Sequence, residues 1–248
     1  MIIESELMSV IEVKSYPATH IVVRNFLDSS SKKKLLNSLL PIRENHLKKL
    51  SHLPARADYR ILGDDKHQQT RVFSEHLGRK KVSWIYDLSK RNPTLKRDCV
   101  EILENNMWRD DLRQAYEDIN NGIYSSNHTS GTKKPEIKIR RLLECEPRDW
   151  FFSQYETGDW LTWHNDTYES TCSYTAGYIF QFDDRQFLGG GDFLLSEVSK
   201  TNNPPTEKIV TYPHEDNFLI IYPANALHKV TKVIGYRYSL LYLVEYQE

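Results

Sequence analysis

The sequence predicts an α+β fold in which N-terminal helices pack against a C-terminal β-sandwich, either a closed barrel or a double-sheet jelly roll. Three observations carry this expectation. Between Pro93 and Asn120, apolar side chains recur every three or four positions, the period of one helix face. Beyond Pro135, short apolar runs alternate with clusters of Gly, Pro, Asn and Asp, the rhythm of many short strands. The chain has 248 residues, 39% hydrophobic and 27% charged, enough to bury one large core.

A single domain spanning 1–248 is expected, with a mainly helical part over 1–135 that includes one early strand, and the β core over 136–248. The run His20 to Phe26 is β-branched and reads as that strand. Leu27-Asp28-Ser29-Ser30-Ser31 then supplies N-cap candidates for a helix carrying Leu35, Leu36, Leu39 and Leu40, which Pro41 should break or restart. From Pro54 to Arg79 the pattern is polar and irregular and yields no assignment. The helix over 93–120 rests on Leu95, Cys99, Ile102, Leu103, Met107, Leu112, Tyr116 and Ile119, and a surface loop follows over 121–135. Strands are expected at 137–145, 151–155, 176–182, 192–196, 208–212, 218–222, 229–233 and 236–246.

Charge and cysteine content exclude several classes of function. With 33 basic and 34 acidic side chains the net charge is -1, so no basic surplus invites nucleic acid. Three cysteines without a C-x-x-C argue against a disulfide framework or a cysteine zinc site and fit a reducing compartment. No basic leader precedes an apolar stretch, and no apolar run approaches the roughly 18 residues of a membrane span. A soluble, cytoplasmic protein with no membrane partner is expected.

The chemistry concentrates in Tyr155-Glu-Thr-Gly-Asp-Trp-Leu-Thr-Trp-His-Asn-Asp166. His164 and Asp166 lie two apart, so on an extended segment both project from one face, where an imidazole and a carboxylate can fill adjacent metal positions. A third ligand from another strand would complete a facial triad with open positions, the arrangement of non-heme Fe(II) oxygenases. An H-x-D pair is weak by itself, and a second one, His214-Glu-Asp216, reads as a solvated turn. Context separates the two. After the apolar strand Phe218 to Tyr222, the turn Pro223-Ala-Asn-Ala-Leu delivers His228, and nine residues later Arg237 sits within an apolar strand. Burying a guanidinium there is costly unless it meets an anion, and its planar fork suits a carboxylate. Gly189-Gly190-Gly191 lacks the spacing of a phosphate cradle and reads as a tight turn or bulge. On a regular strand Trp163 and Asn165 would point away from the ligands and pack. Tyr155 is open between a core side chain and a site contact, and His20, His46, His52, His67, His76 and His128 show no ligand spacing and read as surface or capping residues.

Taken in order, these parts resemble the 2-oxoglutarate and Fe(II)-dependent dioxygenases, in particular the branch that includes prolyl hydroxylases. The resemblance covers about residues 137–246: Tyr155-x-x-Gly158, His164-x-Asp166, Gly189-Gly190-Gly191-Asp-Phe-Leu-Leu, the strand 218–222, His228 and Arg237-x-Ser239. Val22-Val-Arg-Asn-Phe-Leu-Asp-Ser-Ser also resembles that branch's opening strand and helix start. The resemblance implies a double-stranded β-helix with Fe(II) held by His164, Asp166 and His228, and the distal carboxylate of 2-oxoglutarate bound by Arg237. Ser239 and Tyr155 would add hydrogen bonds to that co-substrate. The implied chemistry uses O2, converts 2-oxoglutarate to succinate and CO2, and hydroxylates a prime substrate, with ascorbate as a supporting reductant. Asp166 in the carboxylate position fits hydroxylation rather than halogenation. A small-molecule or peptide substrate, with an amino-acid or peptidyl side chain as target, follows from the branch. The alternatives are a non-catalytic metal- or 2-oxoglutarate-binding module, or an oxygenase acting on nucleic acid or another small metabolite. The nucleic-acid branch carries a further arginine six residues past the co-substrate arginine, where this chain has Leu243.

Overall fold

A continuously apolar strand such as Phe218–Pro223 needs both of its faces covered, and the computed structural model shows how this chain covers them. It describes residues 8–50, 61–62, 70–72, 78–79, 81–84, 93–124, 150–166, 172–182, 186–198 and 208–245. The strand expected at 137–145 lies outside the described residues, as does most of the loop over 121–135.

In chain order the N-terminal part contributes β1 (Val10–Lys14), β2 (His20–Arg24), the helix α1 (Ser29–Leu50), four short strands β3 (Ile61–Leu62), β4 (Thr70–Val72), β5 (Gly78–Arg79) and β6 (Lys81–Trp84), and the helices α2 (Pro93–Met107) and α3 (Asp110–Asn120). The C-terminal part follows with β7 (Trp150–Glu156), β8 (Trp160–His164), β9 (Cys172–Phe180), β10 (Phe187–Gly190), β11 (Phe193–Val198), β12 (Ile209–Tyr212), β13 (Phe218–Pro223), β14 (Ala226–Val230) and β15 (Val233–Glu245). Among the described residues all strand pairs are antiparallel and fall into two sheets. The larger runs β1-β2-β13-β9-β15-β7-β6-β4-β3 with β10 on β15, and the smaller runs β12-β11-β14-β8-β5. This is the jelly-roll double-stranded β-helix core with helices added, and strands from the N-terminal part extend both sheets.

The larger sheet is covered on both faces, and the alternation of its side chains shows it. Ile21, Val23, Tyr178, Phe180, Leu219, Ile221, Tyr238 and Leu240 point to one side, where Leu35, Leu39, Leu103 and Leu112 of the helices pack on them. Val22, Ile179, Phe218, Ile220 and Tyr222 point to the other side and meet Leu161, Phe193, Leu195 and Val230 of the smaller sheet. A site between the sheets is therefore built from every second residue of each strand.

Local differences from the sequence expectation have physical causes. Helix α1 continues through Pro41, because Leu35, Leu39 and Ile42 are buried on both sides of it and their packing outweighs one lost backbone bond. Residues 93–120 form two helices, not one. Met107 and Leu112 are five apart, out of helical phase, and Arg109 takes an extended conformation and donates to the Phe26 carbonyl at 3.1 Å. Asp110 and Asp111 then open α3, where negative charge suits the helix N-terminus. The strand expected at 229–233 is interrupted at Thr231-Lys232, whose backbone closes on Asp192 and Gly191. Gly190 explains that close approach, since a Cβ there would sit 1.9 Å from the Lys232 carbonyl oxygen at a φ of +66°. His20 is no surface residue: it is fully buried, with Nδ1 2.6 Å from the Ala18 carbonyl and Nε2 against the Tyr212 hydroxyl.

Two predictions concern stability. Gly190→Ala should destabilise the protein by roughly 2–3 kcal/mol in urea unfolding. Gly177→Ala, whose Cβ meets Ile220 at an ordinary 3.7 Å, should be nearly neutral. The second concerns the cap of α1, where the Ser30 and Ser31 backbone N–H groups each donate to Asp28 Oδ1 at 2.9 Å. The Ser31 hydroxyl, then those backbone bonds and the Ser30 hydroxyl, pull the Asp28 carboxyl down to about 2. Because the native pKa is depressed, the cap's contribution is complete above the ordinary carboxylate range and disappears as pH falls through about 2. Asp28→Ala should cost about 1 kcal/mol at neutral pH, and the difference from wild type should shrink in unfolding experiments between pH 4 and pH 2.

Candidate active site

His164 ends β8, Asp166 lies two residues past it, and His228 is the third residue of β14. The two histidines are directly paired across β8 and β14. On β8 Leu161 and His164 are three positions apart, while on the partner strand Val230 and His228 are only two apart. This bulge turns His164 inward although Leu161 also faces inward, which a regular strand could not do. His228 lies within a strand, not in the turn before it, because the turn is confined to Ala224-Asn225. The Asp166 backbone N–H donates to the Ala224 carbonyl at 2.8 Å, tying the carboxylate to that same turn.

The three side chains converge. One ligand atom from each of His164, Asp166 and His228 lies within 4.8 Å of the others. His164 Nε2 is 3.7 Å from Asp166 Oδ1, and His228 Nε2 is 3.6 Å from Asp166 Oδ2. Each ring is aimed by the same device: His164 Nδ1 lies 2.8 Å from the Thr162 carbonyl and His228 Nδ1 3.1 Å from the Ala226 carbonyl. A carbonyl only accepts, so Nδ1 carries the proton in both rings and Nε2 presents a lone pair. Two such nitrogens and a carboxylate suit a divalent transition ion. With bonds of about 2.1 Å, neighbouring ligand atoms lie about 3 Å apart, and small side-chain rotations close the observed gaps. The residues therefore fit a metal ion.

Arg237 occupies another wall of the same cavity, which holds about 440 Å³ of space, part of it open to solvent. Arg237 is 3% exposed. Its Nε donates to the Gly191 carbonyl at 3.1 Å, Nη1 donates to Ser239 Oγ at 3.4 Å, and the guanidinium lies 5.1 Å from the centre of the Tyr155 ring. No carboxylate forms an ion pair with it among the described residues. Burial lowers its pKa, and the charge of Asp192, too far for an ion pair, offsets only part of that cost. The register explains the grouping. Arg237 pairs with Tyr155 across β15 and β7, and Ser239 follows two residues on, on the same face. Gly191 lets the arginine stem pass, since a Cβ there would sit 3.2 Å from Arg237 Cδ. Burial raises the Tyr155 pKa and keeps its phenol protonated. Leu161, Ile179, Phe193, Ile220, Val230 and Leu241 supply apolar walls.

All six residues singled out in the sequence thus line one cavity. Two more were missed. Thr175 and Tyr222, fully buried and directly paired across β9 and β13, both place hydroxyls at Asp166 Oδ2. Parity along each strand puts them on the inner face, but the pairing that brings them to Asp166 depends on a register the sequence does not display.

The other H-x-D pair needs correcting. His214 is half-buried rather than solvated: its ring packs 4.0 Å from that of Phe187, and burial, with Arg237 nearby, lowers its pKa to about 3. Asp216 is exposed and binds Lys32 Nζ at 2.5 Å and the Gln181 backbone N–H at 2.8 Å. Among the described residues the metal-capable cluster is His164, Asp166 and His228, and this second pair takes no part in it.

No family model matches the sequence, and no curated protein matches it. Among solved structures the chain is similar to a prolyl-4-hydroxylase from Pseudomonas putida, at 15% identity and a TM-score of 0.50, with 91% of this chain and 92% of that one covered. It is similar to the same degree to a prolyl hydroxylase from Trichoplax adhaerens in complex with a hypoxia inducible factor oxygen degradation domain peptide fragment. There the identity is 14%, the TM-score 0.50, and the coverage 91% of this chain and 83% of that one. At such identities the likeness is one of architecture, and it agrees with the resemblance read from the motifs: the chain has the fold of the prolyl-hydroxylase-like 2-oxoglutarate oxygenases.

Proposed function

We propose that this chain is a 2-oxoglutarate- and Fe(II)-dependent oxygenase that hydroxylates an amino-acid or peptidyl side chain. The observation that carries the reading is one cavity holding both a His-Asp-His set and a buried arginine with no carboxylate partner among the described residues. A metal site alone could be structural, and a buried arginine alone could be a fold device. Together they match a ligand with two ends, one that chelates a metal and one that is a carboxylate. 2-Oxoglutarate has both.

In this reading His164, Asp166 and His228 hold Fe(II), which when bound supplies O2-dependent oxidation coupled to conversion of 2-oxoglutarate to succinate and CO2. Arg237 pairs with the distal carboxylate, and Ser239 and Tyr155 add hydroxyls at that end. The apolar walls exclude water there and strengthen the arginine–carboxylate attraction. The peptide held by the Trichoplax relative supports a peptidyl side chain as the target here. Loss of a ligand would mark a non-catalytic module, whereas this chain presents all three within reach of one ion. Leu243, in place of a further arginine, speaks against nucleic acid. The described helices contain no segment long and apolar enough to cross a membrane. Cys99 is buried and unpaired, which agrees with the reducing cytoplasm as the proposed location.

Protein supplied with Fe(II), ascorbate and 2-oxoglutarate should release succinate even without a prime substrate. His228→Ala should abolish that release, and a wild type that binds neither metal nor 2-oxoglutarate would refute the reading. Removing the charged hydrogen bonds of Arg237 by substitution with Ala should weaken 2-oxoglutarate binding by roughly 10- to 100-fold in titration calorimetry. Metal binding should persist in that variant, and an unchanged 2-oxoglutarate affinity would take Arg237 out of the site. A screen of amino acids, peptides and cell extract for a product heavier by one oxygen atom would then identify the target.

A further inference from the structure

The Asp166 carboxylate has two oxygens, and its surroundings treat them differently. Thr175 Oγ1 donates to Oδ2 at 2.7 Å, and the Tyr222 hydroxyl lies 3.3 Å from the same oxygen and 3.3 Å from His228 Nε2. Both oxygens border the metal position, Oδ1 at 3.7 Å from His164 Nε2 and Oδ2 at 3.6 Å from His228 Nε2, and it is Oδ2 that the two hydroxyls engage. Both donors are fully buried, and both come from the larger sheet, opposite the strands that carry the histidines. The polar contacts at Oδ2 are thus made by rigid, cross-strand neighbours rather than by mobile surface groups.

We propose that Thr175 and Tyr222 are positioning residues that occupy Asp166 Oδ2, so that the carboxylate binds the metal through Oδ1 alone and leaves a coordination position open for the co-substrates. The inference rests on the metal-site reading above and deepens it. A carboxylate beside a divalent ion can bind through one oxygen or both, and the second mode would use a position that 2-oxoglutarate and O2 need. Oxygen lone pairs engaged by two hydroxyls are less available to the metal, and the hydrogen bonds also fix the carboxylate plane. With its Nε2 lone pair committed to the ion, His228 ceases to accept, and the Tyr222 proton goes to Oδ2. Thr175 lies behind Asp166 and is not among the residues that line the cavity, so its effect runs through Asp166, whereas Tyr222 also lines the cavity and touches His228.

The test is a Co(II) titration of the intact protein without O2 or 2-oxoglutarate, followed by visible absorption, which reports both affinity and coordination number. Thr175→Val keeps the shape of the side chain and Tyr222→Phe removes one oxygen, so both variants should fold. Each should raise the Co(II) dissociation constant by roughly 10- to 100-fold and change the cobalt spectrum as Oδ2 becomes a ligand. Thr175→Ser restores the hydroxyl and should return affinity and spectrum to wild type. Variants with wild-type affinity and spectrum would overturn the inference while leaving the metal site standing. Weakened binding with an unchanged spectrum and no rescue by serine would assign Thr175 a packing role and also overturn it. A wild type that binds no Co(II) would instead overturn the metal-site reading itself.

Discussion

The pairing of His164 with His228 across β8 and β14 is the constraint on which the rest of the site depends. Neither histidine is adjacent to the other in sequence, and an antiparallel register is what sets them opposite. The bulge at residues 162–163 supplies the extra residue that turns His164 inward beside Leu161. That bulge also leaves the Thr162 carbonyl where it can receive the Nδ1 proton of His164. Shift the register by one residue and His228 would face out, Asp166 would lose the Ala224 carbonyl, and the three ligand atoms would separate. A two-residue turn between β13 and β14 holds this register, because it carries the chain from the larger sheet to the smaller with no slack.

The larger sheet adds the second half of the chemistry through plain alternation. Tyr238 and Leu240 face the helices, so Arg237, Ser239 and Leu241 must face the other sheet. Burying a guanidinium there costs desolvation, offset in part by the Gly191 carbonyl, the Ser239 hydroxyl and the Tyr155 ring face. That cost is intelligible as a site awaiting an anion. Low polarity around the cavity makes the eventual ion pair stronger than it would be in water. Under the proposed function, stability spent at Arg237 would become binding and selectivity for a carboxylate.

Much of the site was readable from sequence. His164 and Asp166 stand out by their two-residue spacing on an extended segment, His228 by its place after the apolar strand 218–222, and Arg237 as a lone charge within an apolar strand. Tyr155 and Ser239 could be placed beside them through the motif resemblance. Residues whose role depends on cross-strand register were not readable: Thr175 and Tyr222 look like ordinary members of apolar strands until β9 and β13 are aligned. His20 and His214 were misjudged for the same reason, since their burial comes from Tyr212 and Phe187, remote in sequence. Pro41 and the break at Trp108-Arg109 show the reverse case, in which tertiary packing overrides or redirects a local helix signal. The strands between residues 61 and 84 are too short to generate a periodic signal at all.

The central claim is that one molecule spans from the His-Asp-His set to Arg237. It is tested most directly by calorimetric titration of 2-oxoglutarate into the protein without O2, once with Mn(II) present and once without it. A molecule held at both ends couples the two sites, so one 2-oxoglutarate per chain should bind, and markedly tighter with Mn(II), with a reciprocal gain in Mn(II) affinity. Binding of equal strength with and without the metal, or no binding in either case, would contradict the account.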